Sequence, residues 1–244
     1  MNKTDKATLA GLYIAKFDKK ALTALGFTGM WQAFNVIGYS LGSSPAAIKN
    51  YRDEFDRLFP DNPRKGWQRP LKTRSENIFN EFNYLEFSTF TDLIKSFLLP
   101  NYETEKAVAT IIKSDNSESI AKRLITGKAA EEYFKSNYHS VDNFVNLDLI
   151  DTTSLGCGFD FKLYNASMFY CVEVKGLSQN TGNILLTDKE FSCASEIRNH
   201  YCLFIVKNFV DKPRHQIVFD PINSSLDFHR HENIIKVINY SATI

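Results

Sequence analysis

The sequence predicts an α/β protein. An N-terminal all-helical domain over residues 1–115 precedes a domain over 116–244 whose elements run helix, three strands, a short strand, helix, strand, strand. Three observations carry this. In the first hundred residues apolar side chains recur at three- and four-residue spacing. Phe159–Tyr164 and Met168–Val174 are short apolar and aromatic runs joined by the tight link Asn165-Ala166-Ser167. His200–Val206 is an apolar run suited to the centre of a sheet, where strands are buried on both faces.

In order, Leu9, Leu12, Tyr13 and Phe17 fall on one helical face, and a second segment, Lys19–Leu25, stops at Gly26. Thr28 is placed to cap a helix with Trp31, Phe34, Ile37 and Leu41 inward and Gly42 as its stop. Ser44 caps the next, with Pro45 in its first turn. Ile48, Tyr51, Phe55 and Leu58 are its inward stripe, and Lys49, Arg52, Asp53, Glu54 and Arg57 its outer face. Ser75 can cap a helix burying Ile78, Phe79, Phe82 and Leu85, and Thr89–Leu98 forms another, closed by Pro100. A helix over Glu103–Lys113 and the polar stretch Ser114–Glu118 lead to the domain boundary. Ile120–Tyr138 is helical, with Gly127 able to permit close packing on a sheet. Strands follow at Asn146–Asp151, at the two runs above and at Asn183–Leu186. Thr187 opens a helix, and Glu190 three residues on completes a capping box. Gln216–Phe219 is an expected edge strand, and the apolar run Ile234–Ile238 has no assigned place.

The chemistry concentrates around Gly158-Phe159-Asp160-Phe161 and Glu173-Val174-Lys175-Gly176. Residues two apart on a strand share a face. Tyr170, Val172 and Val174 therefore form one face of their strand; Phe169, Cys171, Glu173 and Lys175 form the other. Phe159, Phe161 and Leu163 are expected to share a face, with Asp160 opposite, which gathers Asp160, Glu173 and Lys175 at one end of the sheet. Two carboxylates and an ammonium on a partly buried face cost desolvation energy. A divalent cation would account for them, and oxygen donors with no His or Cys suit Mg²⁺.

These residues resemble the PD-(D/E)xK nuclease superfamily, in which an Asp and a later Glu-x-Lys hold Mg²⁺ and the Lys assists the attacking water. Residues 124–208 resemble the nuclease-like domain first named from the C-terminus of the plant protein NO VEIN and found in bacterial restriction-type proteins. The matching pieces are Gly127-Lys-Ala-Ala-Glu131, Gly158-Phe-Asp160, Glu173-Val-Lys-Gly176, Ile184-Leu-Leu-Thr187-Asp-Lys-Glu190 and Tyr201-Cys-Leu-Phe-Ile-Val206. The resemblance implies a restriction-endonuclease-like αβββαβ core with a mixed central sheet. It implies Asp160 and Glu173 as metal ligands, joined by the Val174 carbonyl, and Lys175 as the catalytic lysine. It also implies that Glu131 points toward the metal, where a solvent-facing Glu is the alternative. Thr187 and Glu190 would face the active site in addition to capping their helix.

The whole chain carries a net charge of only +1. Residues 1–100 hold 14 Lys+Arg and 10 Asp+Glu, a net of +4, whereas the remainder nets −3. The segment Asn62–Arg74 is basic, contains no acidic residue and is broken by Pro and Gly. Guanidinium and backbone N–H groups on such a loop suit phosphate oxygens, and Trp67 can stack on a base. A solvated loop whose Trp packs on the helices is the alternative. The expected contacts to double-stranded DNA are Lys49, Arg52, Arg64, Lys65, Trp67, Arg69, Lys72 and Arg74. Residues 7–72 also resemble leader regions of some restriction-type endonucleases, which implies a target-binding module.

No apolar run approaches the roughly 20 residues of a membrane helix, and the N-terminus lacks a signal-peptide pattern, so a cytosolic protein without a membrane partner is expected. Cys157, Cys171, Cys193 and Cys202 lack zinc spacing and read as buried free thiols. The five His form no triad, and no phosphate loop, nucleophile elbow or dinucleotide fingerprint occurs. The combined expectation is a Mg²⁺-dependent DNA endonuclease of restriction or host-defence type, which a homodimer would equip to cut palindromes. A catalytically inactive DNA-binding reader and a nuclease for RNA or structured DNA are the competing readings.

Overall fold

A computed structural model describes residues 1–98 and 117–231. The expected helix Glu103–Lys113, the stop at Pro100, the boundary near residue 115 and the run Ile234–Ile238 lie outside the described residues.

Among the described residues five α-helices come first: α1 (Lys3–Ala24), α2 (Met30–Ser40), α3 (Pro45–Phe55), α4 (Thr73–Phe82) and α5 (Phe87–Leu98). The two expected N-terminal segments form one kinked helix, whose break is Asp18 at φ 45°. Asn2 and Asp5 close a capping box at its start. Ser44 caps α3 as expected, its side chain accepting from the Ala47 N–H. The other two expected caps are not formed. Gln32 reaches back to Thr28, its Oε1 accepting from the Thr28 N–H at 2.8 Å and hydroxyl at 3.0 Å, and Gly29 becomes the N-cap of α2. At α4 the cap is Lys72, whose N–H donates to Glu54 Oε1 at 2.8 Å, and Ser75 is buried instead. Trp31, expected inward, is 55% exposed.

The second half carries α6 (Ser117–Asn137), β1 (Asp148–Asp151), β2 (Phe161–Tyr164), β3 (Phe169–Gly176), α7 (Asp188–Ile197), β4 (Tyr201–Lys207) and β5 (Arg214–Phe219). The strands form one mixed sheet in the order β1-β2-β3-β4-β5. β3 and β4 are parallel, joined through α7, and every other pair is antiparallel. Asn183–Leu186 is not a strand, because its backbone finds no ladder partner; Ile184 and Leu186 instead pack beside α7.

The sheet buries both faces, as a strand between two layers must. Phe161, Leu163, Val172, Val174, Phe204 and Val206 pack with Ile125, Ala129, Ala130 and Phe134 of α6. Phe134 sits between Phe161 and Phe204, with ring centroids 4.8 and 4.9 Å away. Gly176 lets β3 approach α6: a Cβ there would lie 2.7 Å from the Thr126 carbonyl oxygen and 3.1 Å from Ala130 Cβ. Gly127 does not serve this purpose, since open space surrounds it. On the opposite face Cys171, Tyr201, Leu203 and Ile205 pack with Ala194 and Ile197 of α7. Phe159 belongs to this second cluster rather than with Phe161, because residues 152–160 leave the regular strand and Gly158 adopts φ 98°.

The buried cluster on the α6 side continues into α1, α2, α3 and α5 through Leu9, Tyr13, Phe34, Ile48 and Phe90. Polar clamps join α2 to the second half. Asn35 Nδ2 donates to the Phe209 and Asp211 carbonyls at 2.9 and 2.6 Å, and Gln32 Nε2 donates to Ser178 Oγ at 3.0 Å. Among the described residues no helix is long and apolar enough to cross a membrane.

Candidate active site

Glu173 and Lys175 sit on the α7 face of β3, as their spacing requires, opposite Val172 and Val174. Asp160 immediately precedes β2. Its N–H donates to the Val172 carbonyl at 3.0 Å, and its own carbonyl accepts from the Thr152 N–H at 2.9 Å. Because regular pairing of β2 with β3 ends at Phe161↔Val172, the next N–H on that edge of β3 lacks a strand partner. Asp160 Oδ2 supplies it, accepting from the Val174 N–H at 2.9 Å. A strand residue projects its carbonyl from the same edge as its N–H, so the Val174 carbonyl emerges beside Asp160. The loop is held from below: Gly158 leaves no room for a Cβ beside Cys193, and the buried Tyr201 hydroxyl donates to the Gly158 carbonyl at 3.0 Å.

Glu173 is only 3% exposed. Its Oε1 accepts from Lys175 Nζ at 2.6 Å, and the same ammonium donates to Glu190 Oε2 at 2.8 Å. That oxygen of Glu190 also accepts from the Thr187 N–H at 2.9 Å, while Thr187 Oγ1 accepts from the Glu190 N–H at 3.2 Å. The capping box expected from the sequence is therefore present, and its Glu is tied to the lysine of β3. Glu131 stands on α6, where its Oε2 accepts from Lys128 Nζ at 2.9 Å.

Carboxylates outnumber the ammonium here, and Glu173, Lys175 and Glu190 are largely shielded from solvent. Burial pushes the Glu173 carboxyl well above its ordinary range, and the charge on Asp160 adds to the rise. Burial also raises Asp160; the Val174 N–H opposes the rise, and Glu131 reinforces it. Lys175 is raised despite burial, which works against its charge, because Glu173 and Glu190 embrace it. Asp160 Oδ1 and Glu173 Oε2 have no hydrogen-bond partner among the described residues. Two orphaned carboxyl oxygens fit a hard cation. They do not make a full cage, and among the described residues no group of three or more His, Cys, Asp or Glu is placed to hold a metal ion.

The basic segment divides in two. Arg64 pairs with Asp18 and with Asp56, the latter at 3.0 Å. Arg52 is buried against Asp53 and Asp56 and stacks its guanidinium over Phe34. Asp53 and Glu54 are buried too, so the middle of the expected outer face of α3 is covered, while Lys49 and Arg57 at its ends reach solvent. The cover is the basic segment itself, whose Trp67 N–H donates to the Asp53 carbonyl at 2.8 Å. Gly66, at φ 56°, abuts Asp53 and Asp56, where no side chain fits. Lys49 pairs with Asp53 at 2.6 Å, and Arg74 with Asp5 at 3.4 Å. Lys65, Arg69 and Lys72 are exposed, and Arg69 lies 3.9 Å from the half-buried Trp67 ring. Arg52 is buried, which corrects its expected place on the outer face of α3, while the partly exposed Arg64 has its guanidinium taken up by Asp18 and Asp56. The exposed set is Lys65, Arg69, Lys72 and Arg74, the last beside Asp5, with the half-buried Trp67 next to Arg69.

Sequence reasoning missed Tyr201 as the clamp on the Asp160 loop and Lys128 as the partner of Glu131. The signal for Tyr201 was an aromatic hydroxyl opening an otherwise apolar central strand, since a buried Tyr needs an acceptor. Lys128, three residues before Glu131, was legible as a helical ion pair.

No curated protein and no solved structure matches this chain. A family model described as Protein NO VEIN, C-terminal, matches residues 128–218, from inside α6 to inside β5, so that Asp160, Glu173, Lys175, Thr187 and Glu190 all fall within the matched segment.

Proposed function

We propose that this chain is a Mg²⁺-dependent DNA endonuclease of restriction or host-defence type, built on a PD-(D/E)xK core. One observation carries the reading most: within the matched segment, the half-buried Asp160 and the buried Glu173 raise each other's proton affinity, and each has a carboxylate oxygen without a partner among the described residues. Asp160, Glu173 and the Val174 carbonyl would hold the ion, with water and phosphate oxygens completing the oxygen shell that Mg²⁺ prefers. When bound, Mg²⁺ supplies Lewis acidity for the scissile phosphate and a more acidic water. Lys175, steadied by Glu190, orients the attacking water and offsets negative charge that builds in the transition state. Thr187 holds Glu190 in place, and Glu131 adds negative potential at Asp160.

The helical N-terminal part, residues 1–115 in this reading, engages double-stranded DNA through Lys65, Trp67, Arg69 and Lys72, and a homodimer cuts both strands. The test is incubation of the protein with modified and unmodified plasmid and phage DNA in Mg²⁺ or EDTA, with Glu173→Gln as control. Cleavage that needs both Mg²⁺ and Glu173 supports the reading. DNA binding without cleavage under any of these conditions favours a catalytically inactive reader, in which the Asp160–Val174 bond is purely structural.

A further inference from the structure

An open pocket of about 450 Å³ lies between α2, α6 and the turn from β4 to β5. α6 packs on the sheet face opposite Glu173 and Lys175, so this pocket is separate from the candidate active site. Its volume is within the roughly 300–1,000 Å³ of small-molecule sites.

Four features of its lining define a ligand. Trp31, 55% exposed, meets Phe34 edge-on at 85° between ring planes, and no protein ring is stacked on it among the described residues. Tyr39 and Tyr133 form an aromatic wall, edge-to-face with centroids 5.3 Å apart. Asn35 is 4% exposed, and both its amide hydrogens are used on the Phe209 and Asp211 carbonyls. Two carbonyl acceptors fix which end of the amide is nitrogen, so the buried Oδ1 lacks a donor among the described residues. An unmet buried acceptor is costly, because the group gives up its water and gains no partner. At the rim, the side chains of Asp211 and Lys212 are exposed and pair with no opposite charge among the described residues.

An aromatic platform, a buried amide oxygen, a free carboxylate and a free ammonium together suit a planar base that carries N–H donors and a phosphate. A quaternary ammonium ligand suits the rings but not the ammonium of Lys212. Guanine sets two N–H donors side by side on one edge, matching Asn35 Oδ1 and the Asp211 carboxylate; uracil and thymine set one N–H between two carbonyls. We propose that this pocket binds a guanine nucleotide, with its base on Trp31, its donor edge toward Asn35 and Asp211, and its phosphate at Lys212. A buried acceptor discriminates strongly against a base that cannot donate to it.

The test uses the full chain in EDTA, so it does not depend on cleavage, and loss of nuclease activity would leave its outcome unchanged. The chain has two Trp. Trp67→Phe therefore leaves Trp31 as the sole indole, and guanosine and uridine monophosphates are titrated against its fluorescence. Guanosine monophosphate should quench saturably, at least about tenfold more tightly than uridine monophosphate. Calorimetry on wild type and on Trp31→Ala should show a loss of about tenfold or more in affinity, the size of one base–aromatic stack. An unchanged melting temperature for Trp31→Ala keeps that comparison valid. A thymidine oligonucleotide bearing a single guanine separates the sources: tighter binding than the mononucleotide marks a polymer ligand, equal or weaker binding a free nucleotide. No saturable quenching by guanosine monophosphate overturns the proposal. So does equal affinity for uridine monophosphate, or choline binding as tightly as the nucleotide.

Discussion

Glu173 has one carboxylate oxygen on Lys175 and the other without a donor among the described residues, and that asymmetry decides what substitutions should do. Glu173→Gln keeps the shape but removes the charge that would hold a cation and the strong bond to Lys175. Lys175→Ala removes the ammonium from between Glu173 and Glu190. Either change should lower Mg²⁺-dependent DNA cleavage by about 100-fold or more, the usual scale for losing one preorganised electrostatic group. Circular dichroism should show both variants folded; a folded variant that cuts at the wild-type rate would show that these residues are not catalytic. The raised carboxyls of Asp160 and Glu173 also give stability a pH dependence. Between the ordinary carboxylate range and the raised folded-state values, the folded chain binds more protons than the unfolded chain. Their contribution in EDTA is therefore fully present below the ordinary range and is lost as pH rises through the raised values. The melting temperature in EDTA should fall across that interval. Asp160→Asn, which removes one of the two charges, should flatten the fall, as should saturating Mg²⁺ on wild type. A pH-independent melting curve would show that neither carboxyl is perturbed.

Packing of β3 on α6 sets where those carboxyls stand. Phe134 fills the gap between Phe161 and Phe204, so Phe134→Ala should destabilise by about 3–5 kcal/mol. Gly176→Val should cost about 1–3 kcal/mol by overpacking against Thr126 and Ala130. Urea unfolding measures both. At this scale, features set by neighbours in sequence were legible. The capping box Thr187–Glu190, the cap at Ser44 and the alternation that separates Val172 and Val174 from Glu173 and Lys175 depend on spacings of two to four residues. Features set by distant partners were not. The short apolar stretch Asn183–Leu186 was expected as a strand, yet strand formation needs a neighbouring edge, and among the described residues its backbone pairs with none. The α3 face bearing Arg52, Asp53 and Glu54 looked solvated because it is charged; a segment some ten residues further on covers it and donates backbone N–H groups to Asp53 and Glu54. The pairing of Asp160 with the Val174 N–H was half legible, in that both residues were placed together but the reason, an unpaired strand edge, belongs to the sheet.

Across the whole molecule the charge is uneven, +4 over residues 1–100 and −3 over the rest, although the total is only +1. Such asymmetry suits a polyanion that meets the basic part first. The structure divides the basic residues into those that hold the fold and those that face outward, and the two groups should behave differently. Arg64 joins Asp18 and Asp56, and the Asp56 side chain is only 1% exposed. Removing Arg64 leaves a buried carboxylate short of a partner, though Asn62 Nδ2 still donates to it at 2.9 Å. Arg64 is itself partly exposed, so solvent screening tempers the loss. Arg64→Ala should therefore cost about 1–3 kcal/mol of stability, or roughly 2–12 °C in Tm. Its effect on the salt dependence of DNA binding should be small. Lys65, Arg69 and Lys72 should show the converse. Their replacement by Ala should leave Tm within about 2 °C of wild type, since exposed charges contribute little to stability. Each lost phosphate contact should flatten the slope of log affinity against log salt by about 0.9. Binding to a catalytically disabled Glu173→Gln protein, measured by fluorescence anisotropy from low to moderate salt, gives the slopes; differential scanning fluorimetry gives the Tm values. If the triple variant keeps the full slope, the segment does not touch the DNA backbone, and the binding surface lies elsewhere on the helical half.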